Sequence, residues 1–204
     1  MIAATEALTR LRDGNRRFVE AEAVGHHGHR ASLAAGQEPF AIVLGCSDSR
    51  VPAELVFDLG FGDLFVIRVA GNIVAPSQVG SVEFAAARFG TPLVVVMGHT
   101  QCGAITATLE ELAGQATQSR NLQSIVDRVR PSVESVIAAG GNLDPATLVR
   151  EAVRANVRAS ADHLRHGSEI LERLIRDGGL LVVGAEYSLE TGTVDFFDGV
   201  PIGQ

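Results

Sequence analysis

The chain has 204 residues and a formal net charge of -7, 24 acidic against 17 basic side chains, so it offers no basic surface to nucleic acid or to an anionic membrane. The hydrophobic content, 46%, is ample for one compact domain whose core is buried from both sides of a sheet. No apolar run approaches the roughly 20 residues that a bilayer demands, and Met1 to Val19 lacks the unbroken apolar segment of a secretory leader; a cytoplasmic protein is expected.

Apolar Leu8, Leu11 and Phe18 recur at near-helical spacing and predict an opening amphipathic helix over Ala3 to Ala23, with Thr5 as its cap. A histidine-rich polar loop, His26 to His29, separates it from a short helix over Ala31 to Ala35 that ends at Gly36. His26, His27 and His29 lie close enough for a metal, but a solvated loop is the better reading. Three short continuous apolar runs, Phe40 to Gly45, Leu64 to Val69 and Pro92 to Gly98, read as strands buried on both faces. A helix over Ser81 to Phe89, stopped by Gly90, separates the last two, and this alternation argues for a parallel sheet with crossover helices.

Further helices are expected over Ala104 to Leu112, over Asn121 to Ala139 with an interruption at Pro131, and from Asp144, placed before Pro145, to Arg176. A fourth strand at Leu180 to Gly184 precedes a hairpin over Tyr187 to Phe197 that turns at Glu190 to Gly192. The Gly60-Phe61-Gly62 stretch lacks the third glycine and the strand-to-helix setting of a nucleotide loop. His163 and His166 share a helix face without a third ligand nearby and read as solvent-facing.

Cys46 directly follows the first buried strand, and His99 and Cys102 follow the third, so all three fall at carboxyl ends of parallel strands, where open α/β sheets bind ligands. Thiolate and imidazole are the preferred ligands of zinc, and two of them separated by two residues reach one ion from one turn. Spacing alone leaves open a buried, inert pair of cysteines beside a hydrogen-bonded histidine. The neighbourhood of Cys46 favours chemistry: Ser47, Asp48, Ser49 and Arg50 place two hydroxyls and two opposite charges beside the metal, and an arginine fork two residues from a carboxylate can fix its direction.

Cys46-Ser47-Asp48-Ser49-Arg50, followed by Gly98-His99-Thr100-Gln101-Cys102-Gly103, resembles the paired signatures of the bacterial-type β-class carbonic anhydrases, and the likeness extends through Phe65-Val66-Ile67-Arg68 to Glu186-Tyr187. The resemblance implies an α/β fold: a mostly parallel central sheet flanked by helices, a C-terminal antiparallel hairpin, and an N-terminal helical arm (1–36) that packs on a partner subunit beside the core (37–204). It implies one Zn²⁺ per subunit on Cys46, His99 and Cys102, with Asp48 and Arg50 as a catalytic dyad and Asp48 as a fourth ligand in a closed state. The activity implied is reversible hydration of carbon dioxide to bicarbonate by hydroxide generated on zinc, in a homodimer or homotetramer. Gln37 and Phe65 would lie near substrate at the subunit interface, and Ala70, Gly71 and Phe84 complete an apolar wall.

The sequence departs from the family pattern at three places. Phe84 replaces a common tyrosine, Arg88 stands where some relatives carry a proton-shuttling histidine, and Val43 replaces the tryptophan of a regulatory bicarbonate site whose arginine and tyrosine correspond to Arg68 and Tyr187. Two rival readings are hydrolysis of another triatomic, carbonyl sulfide or carbon disulfide, and a non-enzymatic zinc protein in which Asp48 permanently closes the metal site.

Overall fold

In a computed structural model, residues 2–21, 32–115, 119–140 and 143–202 are described. The strands are β1 (Ala41–Gly45), β2 (Leu64–Arg68), β3 (Leu93–His99), β4 (Leu181–Tyr187) and β5 (Val194–Asp198). They form one sheet in the order β2-β1-β3-β4-β5, parallel throughout except for β4 against β5. Alternate side chains of these strands feed two cores. Ala41, Val43, Val95, Met97 and Val183 face one side; Ile42, Leu44, Val94, Val96 and Val182 face the other.

The helices are α1 (Ala4–Val19), α2 (Ala53–Val56), α3 (Pro76–Phe89), α4 (Gly103–Leu112), α5 (Arg120–Gly140), α6 (Pro145–His166) and α7 (Glu169–Asp177). α1 and α2 cover the first face, and α3, α6 and α7 the second. α3 starts on Pro76, whose missing N–H costs nothing at a helix start. It ends on Gly90 in the left-handed region, as expected. Asp144 caps α6 by accepting from the amides of Ala146 and Thr147. Among the described residues no helix is long and apolar enough to cross a membrane.

Several expectations need correction. α1 starts at Ala4 without a side-chain cap, and Thr5 lies inside its first turn. Part of its apolar stripe is covered by its own chain, where Ala7, Leu8 and Leu11 are fully buried against the sheet. Asn15 fixes that docking by donating to the carbonyls of Val56 and Gly192 and accepting from the Val194 amide. α5 is continuous through Pro131: the buried Val126, Val129 and Val133 flank the proline and hold one helix together although one backbone donor is missing. The region from Asp144 to Arg176 is two helices, broken at Gly167 and restarted by Ser168, whose hydroxyl accepts from the Leu171 amide. β4 runs on to Tyr187 and is itself the first arm of the hairpin, with a bulge between Gly184 and Ala185. Of the short helix before β1, Ser32–Ala35 forms a single 3-10 turn. His26, His27 and His29 lie outside the described residues.

Candidate metal centre and active site

β1 and β3 are neighbours in register, Gly45 opposite Met97, so the residues that follow them emerge side by side. Cys46 leaves β1, His99 closes β3, and Cys102 stands at the N-cap of α4. One ligand atom from each lies within 4.8 Å of the other two, and all three residues are buried. Ile73, Ile105, Val129, Val133 and Val153 surround them with apolar surface.

The donor chemistry fits a zinc ion. His99 is fully buried, its Nδ1 is 2.8 Å from the Thr100 carbonyl oxygen, and its Nε2 has no hydrogen-bond partner. A carbonyl only accepts, so the proton is on Nδ1 and the lone pair of Nε2 is free for a metal, an arrangement usual for metal-binding histidines. An orphaned buried nitrogen is otherwise costly. The two cysteines are free thiols. Hydrogen bonding from Cys102, with further help from the Gly71 amide, holds Cys46 far below the usual thiol range, whereas the same contact and burial push Cys102 up. One of the pair is therefore already disposed to be thiolate, the form that ligates metal.

Asp48 and Arg50 form a tight pair beside this cluster. Asp48 Oδ1 accepts from the Arg50 amide and Nε, both at 2.9 Å, and Oδ2 accepts from Nη2 at 2.7 Å. This grip holds the Asp48 carboxyl well below the ordinary carboxylate range. Oδ2 also stands 3.8 Å from His99 Nε2, so the anion faces the ligand cluster. Arg68, from the end of β2, donates to the carbonyls of Cys46 and Asp48 and fastens the loop from outside. Ser47 and Ser49 are exposed.

The other expected site residues divide into two groups. Ala70 and Gly71 follow β2, and Gly71 reaches the cluster, where its amide donates to Cys46 Sγ at 3.4 Å. Gln37, Phe65 and Phe84 are not gathered there by this chain. Gln37 precedes β1, at the end opposite Cys46, in a cleft with Arg10, Phe40 and Arg88. Phe65 pairs across the sheet with Ile42 and clusters with Phe84 and Phe89, and Phe84 is 53% exposed. Val43 is a core residue of β1, and Tyr187 packs against Phe18. His163 and His166 face solvent, as expected, with His166 beside Asp162.

Residues 41–194 match the carbonic anhydrase family. The chain belongs to the β-class carbonic anhydrases. It is 39% identical over 186 residues to carbonic anhydrase 2 of Mycobacterium tuberculosis, covering 89% of this chain and 87% of that one. It is 38% identical over 189 residues to the carbonic anhydrase of Mycolicibacterium smegmatis, covering 91% and 89%. A tetrameric β-carbonic anhydrase from Sordaria macrospora shares the fold, with a TM-score of 0.76 at 22% identity over 94% of this chain and 97% of that one.

Sequence reasoning missed the residues that hold the β-carbonic anhydrase ligand turns in place. Glu190, in the β4–β5 connection, accepts from Thr100 Oγ1 and Gln101 Nε2 and so secures the turn between His99 and Cys102, in which Gln101 has a φ of 56°. Nothing in local spacing connects positions ninety residues apart. Asn156 and Ser160 left a fainter trace, as polar residues on the apolar stripe of α6.

Proposed function

We propose that this chain catalyses the reversible hydration of carbon dioxide to bicarbonate and a proton, with Zn²⁺ held by Cys46, His99 and Cys102. The observation that carries the proposal is the buried Cys-His-Cys cluster, with the unpartnered Nε2 of His99 turned toward the arginine-gripped carboxylate of Asp48. Zinc, when bound, supplies Lewis acidity that makes water a nucleophile near neutral pH.

The chain's own residues do the rest. Asp48 Oδ2, directed at the cluster, would accept a hydrogen bond from the attacking oxygen and so turn that oxygen's lone pair toward the carbon of carbon dioxide, the carboxylate remaining ionised throughout. Arg50 keeps Asp48 ionised and, by engaging both oxygens, restrains it from settling as a fourth ligand. This restraint speaks against a permanently closed structural zinc site. The apolar wall of Ile73, Ile105 and Val129, with the Gly71 backbone beside Cys46, limits competing water, and Ala70, next to Gly71, is proposed to extend it.

Gln37, Phe65 and Phe84 find a role if a second copy of the chain brings them to this site, which the tetrameric assembly of the Sordaria macrospora relative supports. The assembly proposed is accordingly a homodimer or homotetramer, with residues 1–36 as an arm on a 37–204 core. Two cysteines left unbridged suit a reducing compartment, and we place the protein in the cytoplasm. Stopped-flow measurement of carbon dioxide hydration, with metal analysis of the same sample, tests the proposal. About one zinc per chain and zinc-dependent hydration are expected; a zinc-loaded sample without hydration would overturn it.

A further inference from the structure

α6 turns an apolar stripe inward, with Ala152, Val153, Val157 and Ala161 all at most 2% exposed. Asn156 interrupts that stripe and is equally buried, at 2%. A buried primary amide needs partners, and leaving one unpaired costs about 1–3 kcal/mol. Its Nδ2 donates at 2.8 Å to the carbonyl oxygen of Gly71, and one turn further along the helix Ser160 Oγ donates at 3.1 Å to the carbonyl oxygen of Asn72.

Those two carbonyls belong to consecutive residues in the left-handed region, Gly71 at a φ of 70° and Asn72 at 42°. Glycine adopts this freely, and asparagine enters it more readily than other side chains but still at a cost that surrounding contacts offset. At the start of this turn the Gly71 N–H points at the sulfur of Cys46.

We propose that Asn156, seconded by Ser160, is a positioning residue for the metal centre: it clamps the Gly71-Asn72 turn so that the Gly71 amide hydrogen-bonds the Cys46 thiolate. The inference rests on the zinc reading above. An amide donor withdraws charge from a thiolate, so the clamp sets how much charge Cys46 donates to the ion and how firmly the ligand is held. Outer-shell contacts of this kind typically contribute about 10- to 100-fold in metal affinity.

The test uses the full chain loaded with cobalt(II), whose thiolate-to-metal absorption band reports the sulfur directly, together with zinc affinity from chelator competition. Asn156→Ala should move the band to longer wavelength and weaken zinc roughly 10- to 100-fold. Ser160→Ala, a milder change that keeps the test open if Asn156→Ala does not fold, should act in the same direction and less. Val182→Ala, a buried truncation at the opposite end of the sheet, controls for stability alone and should leave the band in place. A folded Asn156→Ala or Ser160→Ala protein with an unshifted band and zinc affinity within about twofold of the parent would overturn the clamp while leaving the zinc site standing. A parent chain that shows no thiolate band with cobalt would overturn both.

Discussion

Asp48 is the residue on which activity and metal binding separate. Its carboxylate faces the ligand cluster, but both its oxygens are held by Arg50. Asp48→Asn should therefore retain zinc and lose hydration rate by a factor on the order of 10² or more, the scale of a positioned acid-base group. Zinc content and stopped-flow rate on one sample check this, and an unimpaired variant would strip the dyad of its role. The two cysteines respond differently. Their sulfurs lie within 4.8 Å of each other, and a disulfide requires about 2.05 Å, which forces both off the metal. Mild oxidant should release zinc and abolish hydration together, both returning when reductant and zinc are added. Oxidised protein that kept its zinc would contradict a two-thiolate site.

At the scale of elements, the docking of α1 turns on Gly14. A Cβ there would stand 1.8 Å from the backbone carbonyl oxygen of Phe57, and that backbone cannot yield without moving α2. Gly14→Ala should destabilise the protein by about 1–3 kcal/mol, as overpacking does, despite alanine's higher helix propensity. Denaturant unfolding measures it, and a stabilised variant would show that α1 does not sit on its own sheet as described. The sequence made the strands legible because Ala41–Gly45 and Leu93–His99 are buried on both faces, which leaves an unbroken apolar run. It made the ligands legible because each falls where such a strand ends. It said less about α1, since an apolar stripe announces that it needs a partner without saying which chain supplies it. Neither the break at Gly167-Ser168 nor the contacts of Asn156 and Glu190 could be derived from periodicity: the first overrides a helical pattern through one hydroxyl, and the others join turns to residues far along the chain.

For the molecule as a whole, two carboxylates pull the pH dependence of stability in opposite directions. Asp48 titrates below its ordinary value, so its contribution is present above that value and fades as pH falls through the depressed one; solvent exposure keeps it small. Glu186, near the end of β4, behaves inversely. Burial raises its pKa against the opposing pull of Arg154, and Oε1 has no partner while Oε2 accepts from Arg154 at 3.1 Å. The folded protein therefore binds a proton at Glu186 that the unfolded chain releases near 4.5. The resulting stability is fully present below that value and is lost as pH rises through the higher folded value, leaving a buried anion with one unsatisfied oxygen. Glu186→Gln removes this titration and keeps the shape. The melting temperature of the parent minus that of the variant should fall as pH is raised from about 4 through the carboxylate range, and then level off once Glu186 is ionised in both states. A difference that stays constant, or grows with pH, would mean that Arg154 and Glu186 form a favourable ion pair and that burial is not the dominant influence.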